Sequence, residues 1–219
     1  MANATREDKL GKHDRLMKRL DPDIVIYVDG SIRMKSKCGG GGIVTLDRRK
    51  RDKPRTLLTA QLHYGGGFMT SATSELATFI VGLLVAKQCY YSGIKVLLLC
   101  DCDYAVQGYN SWMDNWLEKD ILYQKANFEY WEHIKVIKDS FEDNSQVFIK
   151  HVHGHLESKK LKSRGIVGNY IADLLANRGS DSKESKTIVD LGGAFKGSVA
   201  KETEEILHNI GIEFAWDKL

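Results

Sequence analysis

Asp23-Ile24-Val25-Ile26-Tyr27-Val28-Asp29-Gly30-Ser31 is the stretch on which the fold turns. An unbroken run of β-branched and aromatic residues reads as a buried strand. The run stops at a carboxylate, Asp29, and Gly30 allows a sharp exit from the strand. A carboxylate at such a point ordinarily forms a turn or caps a helix. Three more stand at similar points of punctuation downstream, Glu75, Asp101 and Asp173. Together they raise a second reading, in which the fold gathers all four around divalent metal.

Working outward, residues 32–42 read as a loop that carries Lys35, Lys37 and the run Gly39-Gly40-Gly41-Gly42. Four glycines suit close approach of the backbone to a ligand or a neighbouring strand. No Gly-Lys-Ser/Thr follows, so this is not a phosphate-binding P-loop. Strands are expected over 42–46 and 56–64. The basic segment between them, Arg48 to Arg55, reads as a solvated hairpin connection. The first third is therefore an antiparallel meander of three strands. Thr70-Ser71-Ala72-Thr73-Ser74 offers helix caps, and Leu76, Phe79, Ile80, Leu83 and Leu84 form one apolar stripe. Glu75 falls in the expected first turn, where a carboxylate complements the helix dipole.

Ile94 to Cys100 is nearly all apolar, the mark of a central parallel strand, and it ends at Asp101. Helices are expected over 104–117, with Trp112 and Trp116, and over 128–141. A strand over 146–152 runs into His153-Gly154-His155. A basic loop with Lys159, Lys160, Lys162 and Arg164 follows. Gly168-Asn169 opens a last helix, Tyr170 to Arg178, which carries Asp173 and is closed by Gly179.

The chain has 219 residues, 42% hydrophobic and 28% charged, which suits one globular domain with extensions rather than disorder. Residues 1–22 read as a charged, solvated helical extension, 23–180 as the domain, and 181–219 as a polar extension with a short helix over 198–209. The net charge of +3 is too small to identify a nucleic-acid partner; local clusters matter more. The first twenty residues are polar and no apolar run reaches membrane-spanning length. The expectation is an intracellular protein, cytoplasmic or nuclear, with reduced thiols. Cys100-x-Cys102 lies in an apolar strand and has no matching pair at ligand spacing, so it reads as structural cysteine.

The element order is β-β-β-α-β-α-α-β-α. On it sit Val28-Asp29-Gly30-Ser31, Thr73-Ser74-Glu75-Leu76, Leu99-Cys100-Asp101-Cys102-Asp103-Tyr104 and Asn169-Tyr170-Ile171-Ala172-Asp173-Leu174-Leu175-Ala176. These resemble, in order, the four acidic motifs of type 1 ribonuclease H. The glycine-rich segment before strand two and Gly154-His155 ahead of the last helix fit as well. The resemblance covers about residues 23–180. It implies an α/β fold of the ribonuclease H kind: a mixed five-stranded sheet, its three N-terminal strands antiparallel, with helices on both faces.

The resemblance further implies a metal-dependent endonuclease that hydrolyses the RNA strand of RNA–DNA hybrids and leaves 5′-phosphate products. Asp29, Glu75, Asp101 and Asp173 would hold two Mg²⁺ or Mn²⁺ ions. Converging carboxylates repel one another unless cations neutralise them, and hard oxygen ligands select such ions over zinc. Two ions can hold both the attacking water and the leaving oxygen of an in-line displacement. Asp29 would bridge the ions, Asp173 would hold the water-activating one, and Glu75 and Asp101 the other. His155 would carry protons or assist product release. Gly30, Ser31, Thr70, Ser71, Trp112, Trp116, Lys159 and Lys160 would contact substrate, whose RNA strand is told from DNA by its 2′-OH.

The sequence departs from the family at Ser71 and Ala72, where asparagine is usual. After Trp116 it has a reduced basic handle, with Lys119 and Lys125 set against Glu118 and Asp120. Two alternatives stay open: a silent hybrid-binding domain, or another nuclease of the same wider fold.

Overall fold

The computed structural model describes residues 6–50, 55–64, 69–142, 146–153, 164–182 and 186–189. Strands apolar on both faces must be covered on both. Two such runs lie side by side at the centre of one sheet: β1 (Ile24–Arg33) and β4 (Val96–Cys100), paired in parallel from Ile24↔Val96 to Val28↔Cys100. β2 (Cys38–Asp47) pairs antiparallel with β1, and β3 (Arg55–Tyr64) antiparallel with β2. On the other side β5 (Val147–His151) pairs in parallel with β4. The expected five-stranded mixed sheet is present in the order β3-β2-β1-β4-β5.

A sixth strand, β6 (Lys186–Val189), adds antiparallel to the outer edge of β3. It falls in the polar extension 181–219, where no strand is expected from the sequence. The edge of β3 offers unpaired N–H and C=O groups, and four residues suffice to pair with it. The short helix expected over 198–209 lies outside the described residues.

Alternation along β1 sends Ile24, Ile26 and Val28 to one core and Val25 and Tyr27 to another. The first face carries α2 (Ser71–Tyr91), α3 (Asp103–Gln107), α4 (Met113–Glu118) and α5 (Phe128–Asp139). Helix α2 buries Leu76, Phe79, Ile80, Leu83 and Leu84 there, as its stripe predicts. Each such side chain contributes about 1.5–3 kcal/mol. A π-helical stretch, Gly108–Trp112, joins α3 to α4.

The second face carries α6 (Arg164–Asp181) and α1 (Arg6–Leu20). Expected to be a solvated extension, α1 instead packs Leu16, Met17 and Leu20 against the second core, and its His13 is buried. Three apolar residues at helical spacing are enough for one docking stripe. No helix among the described residues is long and apolar enough to cross a membrane.

Three boundaries differ from expectation in ways that shape the site. β1 does not end at Asp29 but runs on to Arg33, still paired with β2 through Arg33↔Cys38. Gly39 to Gly42 are not loop but the first half of β2. Helix α6 begins at Arg164 and runs through Gly179, so neither Gly168-Asn169 nor Gly179 marks an end.

Candidate active site

The central register brings the first two carboxylates together. Parallel pairing of β1 with β4 stops at Val28↔Cys100, and Asp29 and Asp101 are the next residues on each strand. Side-chain alternation puts both on the face that carries α6. Asp29 is therefore inside its ladder on the β2 side, opposite Gly42, and free of it on the β4 side. A strand-end carboxylate was the sequence signal; the structure has it where one ladder ends and the other continues.

Glu75 arrives from the opposite face. Thr70 caps α2: its hydroxyl accepts from the Thr73 N–H at 3.1 Å, and the Thr73 hydroxyl accepts from the Thr70 N–H at 2.8 Å. This capping box starts the helix at Ser71, so Glu75 stands in the second turn, not the first. The dipole-complement reading therefore falls. The helix crosses β1 at Gly30, whose N–H donates to Glu75 Oε2 at 3.0 Å. A Cβ on Gly30 would stand 2.6 Å from both the Glu75 Cα and N. Gly30 thus serves close approach of a helix rather than exit from a strand. Buried Ser74 secures the crossing, donating to the carbonyls of Ser31 at 2.6 Å and Gly40 at 2.8 Å.

Asp173 comes from α6, which lies across the β2 glycines. A Cβ on Gly42 would collide with the Ala172 carbonyl, and one on Gly40 with the Ala176 carbonyl. The glycine run is a bed for this helix, not a ligand loop. One turn beyond Asp173, Asn177 donates through Nδ2 to Asp173 Oδ1 at 3.1 Å and to its carbonyl at 3.0 Å. Its Oδ1 accepts from the Ser31 hydroxyl at 2.8 Å. The chain Ser31–Asn177–Asp173 ties β1 to α6 and orients the carboxylate.

Asp29, Glu75, Asp101 and Asp173 line one cavity of about 460 Å³, with Gly30, Ser31, Ser71 and Asn177 around them. Asp29 is 4% exposed. Burial first, and then the neighbouring charges of Asp101 and Glu75, hold its carboxyl far above the usual range. Burial and Asp101 push Glu75 up to about 8, with the Gly30 N–H pulling the other way. The charges acting on these two groups are all of their own sign. Such a cluster demands a cation.

The donor set fits a hard one. Oxygens of Glu75 and Asp101 and the sulfur of Cys100 come within 4.8 Å of one another. Cys100 is fully buried, and burial pushes its thiol well above the ordinary value, so it stays neutral. The charged donors are carboxylate oxygens, which suit Mg²⁺ or Mn²⁺. The four cysteines are all free, Cys89 and Cys100 buried and Cys38 and Cys102 half-buried.

Other residues read from the sequence fall in different places. Thr70 is spent on its cap, and Trp112 and Trp116 do not line the cavity. They join Tyr104 and Trp131 in an aromatic cluster, with ring centroids 5.2–6.0 Å apart. The Trp131 indole N–H donates to the Tyr104 hydroxyl at 3.0 Å. Trp112 is 38% exposed at the edge of this cluster, and Lys125 lies over the Trp116 ring. His155, Lys159 and Lys160 lie outside the described residues. Asn177 is absent from the sequence reading, and Ser74 enters it only as a helix-cap candidate, not as a tie to β1 and β2. Asn177 carries one usable signal, its i+4 spacing from Asp173; a buried serine inside a helix carries none.

The RNase H family profile matches residues 21–181, most of the chain. Ribonuclease H of Pseudomonas putida (strain W619) is 27% identical over 171 residues, covering 76% of this chain and 99% of the relative. Ribonuclease H of Stutzerimonas stutzeri (strain A1501) is 29% identical over 173 residues, covering 77% and 99%. Among solved structures, the RNase H domain of PFV superimposes with a TM-score of 0.60 at 24% identity, covering 73% of this chain and 95% of that one. The protease–reverse transcriptase of prototype foamy virus matches with a TM-score of 0.59 at 22% identity, over 74% of this chain and 21% of that one. At these identities the structural likeness concerns the fold. By the profile match, which spans strands β1 to β5 together with α6, this chain belongs to the RNase H family.

Proposed function

We propose that this chain is a ribonuclease H that hydrolyses the RNA strand of RNA–DNA hybrids, with residues 23–180 as its catalytic domain. The observation that carries the proposal is the convergence of Asp29, Glu75, Asp101 and Asp173 on one cavity. The family works with divalent metal ions, and the acidic cluster suits them. When bound, two Mg²⁺ or Mn²⁺ ions would supply Lewis acidity at both the attacking and the leaving oxygen of an in-line displacement.

The chain's own residues do the rest. Asp29, buried and acted on by the charges of the other three, would be the carboxylate shared by both ions. Asp101 and Asp173 would hold the ions from the α6 face and Glu75 from the α2 side. The Gly30 N–H fixes one Glu75 oxygen, leaving the second for the cavity. Asn177 fixes one Asp173 oxygen in the same way. Preset ligands avoid reorganisation when charge develops on the phosphate. His155, on the segment that joins β5 to α6, is proposed to carry the proton to the leaving oxygen. Gly30, Ser31 and Ser71 rim the cavity and would meet the substrate backbone, with Lys159 and Lys160 contacting its phosphates.

The test is end-labelled RNA–DNA hybrid, duplex RNA and duplex DNA, each incubated with the protein in Mg²⁺ or in EDTA. Cleavage of the hybrid's RNA strand in Mg²⁺ alone is expected. Equal cleavage of duplex DNA, or cleavage in EDTA, would refute the assignment.

A further inference from the structure

A second cavity, of about 520 Å³, lies where α1 meets the end of β5. Its walls carry His13, Arg15 and Arg19 from α1 and Lys150, His151 and His153 from the β5 end, with Leu16 and Leu99 beneath. No carboxylate lines it among the described residues. Three always-charged cations therefore face one space on the same molecule that gathers four carboxylates in another. Asp14, 3.7 Å from the His13 ring, is 60% exposed and does not line the cavity.

His13 gives a second, independent sign. It is 9% exposed, and neither of its buried ring nitrogens has a hydrogen-bond partner among the described residues. A polar group so placed is costly unless something satisfies it. Burial pulls its pKa below the ordinary histidine value, so the ring is neutral and presents one N–H donor. Two arginine guanidinium groups, a lysine and the His13 imidazole around one space are the donor set of a phosphate site, His151 giving its Nε2–H to the Asp101 carbonyl.

The cavity adjoins the acidic one. Leu99 of β4 lines the first, and Asp101, one residue past the end of that strand, lines the second. Two residues of strand span about 7 Å. His151, which lines the first, reaches the Asp101 carbonyl with its Nε2 at 3.0 Å. A nucleic-acid strand advances about 3.4 Å per nucleotide, so a strand lying over the carboxylates passes this cavity within a few nucleotides.

We propose that the cavity between α1 and β5 holds a backbone phosphate of the nucleic-acid substrate a few nucleotides from the scissile bond. The amino-terminal helix is then part of the substrate surface and not a mere extension. The proposal rests on the reading of the acidic cavity as a nuclease centre. A free phosphate has the same chemistry, and the experiment separates the two sources.

The full chain and its Arg15→Ser/Arg19→Ser/Lys150→Ser variant are titrated with a fluorescent RNA–DNA hybrid in EDTA, from 50 to 200 mM salt. All three side chains are exposed or half-buried, so the variant keeps its fold. Its affinity at 50 mM is expected to fall about tenfold or more, and its salt slope by about 0.9 for each phosphate the variant no longer neutralises. Affinity and slope equal to wild type would overturn the proposal. The His13 imidazole resonances are followed in parallel. They are expected to shift on adding hybrid, and not on adding inorganic phosphate at the same phosphate concentration. An equal shift with inorganic phosphate would overturn the assignment to the substrate strand. If wild type fails to cleave hybrid in Mg²⁺ while the slope change persists, the nuclease reading fails and the phosphate cavity stands.

Discussion

Replacing Glu75 by Gln should make the metal-free protein more stable at neutral pH. Folding raises the Glu75 pKa from 4.5 to about 8 through burial and the Asp101 charge. A group whose folded pKa is raised contributes stability that is complete below its unfolded value and lost as pH climbs through the folded one. The window for Glu75 is therefore pH 4.5 to about 8. At about 1.4 kcal/mol per pH unit, the loss is about 3 kcal/mol by pH 7, with a ceiling of about 5 kcal/mol. Glutamine is neutral throughout and escapes that loss. It keeps an acceptor for the Gly30 N–H, but a weaker one, which costs about 0.5–1 kcal/mol. The net gain near pH 7 is about 2–3 kcal/mol, or about 5–10 °C in Tm for a chain of this size. Thermal melts of both proteins in EDTA from pH 5 to 8 measure it. The curves should nearly coincide at pH 5 and separate steadily towards pH 8. Adding Mg²⁺ should raise the wild-type Tm and leave the variant's almost unchanged. A variant with equal or lower Tm at pH 7–8 in EDTA, or a gap independent of pH, would refute close clustering of the carboxylates.

Three further substitutions probe the parts that hold the cluster. Gly30→Ala puts a methyl against the α2 backbone at Glu75; overpacking of this kind typically costs about 1–3 kcal/mol, and chemical denaturation should show it together with a loss of metal affinity. Asn177→Ala removes the donor to Asp173 Oδ1; outer-shell losses run about 10–100-fold, so the Mg²⁺ concentration needed for half-maximal turnover should rise while Tm changes little, and an unchanged metal requirement would make Asn177 only a helix–strand tie. His155→Ala should slow cleavage about 10²–10⁴-fold without abolishing it, and single-turnover rates equal to wild type from pH 6 to 9 would remove the proton-carrier role.

What the sequence made legible was what it repeats locally. The apolar runs 24–28 and 96–100 announce central strands, and the Leu76-Phe79-Ile80-Leu83 stripe announces a helix, though the structure buries every residue from Leu76 to Ala86 and so covers it all round. Four carboxylates in order on the expected elements were enough to point to one cavity. The rest depended on contacts between segments far apart in the chain. Gly30 looks like a strand exit until Glu75, 45 residues on, is seen lying against it. Gly39 to Gly42 look like a loop until α6 is seen across them. Asn177 is an ordinary helix residue until Ser31, 146 residues away, meets it. The amino-terminal helix shows three weakly spaced apolar residues, and only the exposed second face of the sheet explains why they suffice. Strand β6 is four residues in a polar stretch, and the free edge of β3 supplies the reason for it.

Asp101→Asn tests the central claim most directly, because it removes one charged oxygen from the cavity with almost no change in volume. Wild type and variant are compared on end-labelled RNA–DNA hybrid in Mg²⁺, with circular dichroism confirming that the fold is kept. Metal-dependent cleavage by wild type and none by the folded variant is expected. Near-wild-type turnover by Asp101→Asn in Mg²⁺ would contradict the assignment of Asp29, Glu75, Asp101 and Asp173 as one metal-binding catalytic set.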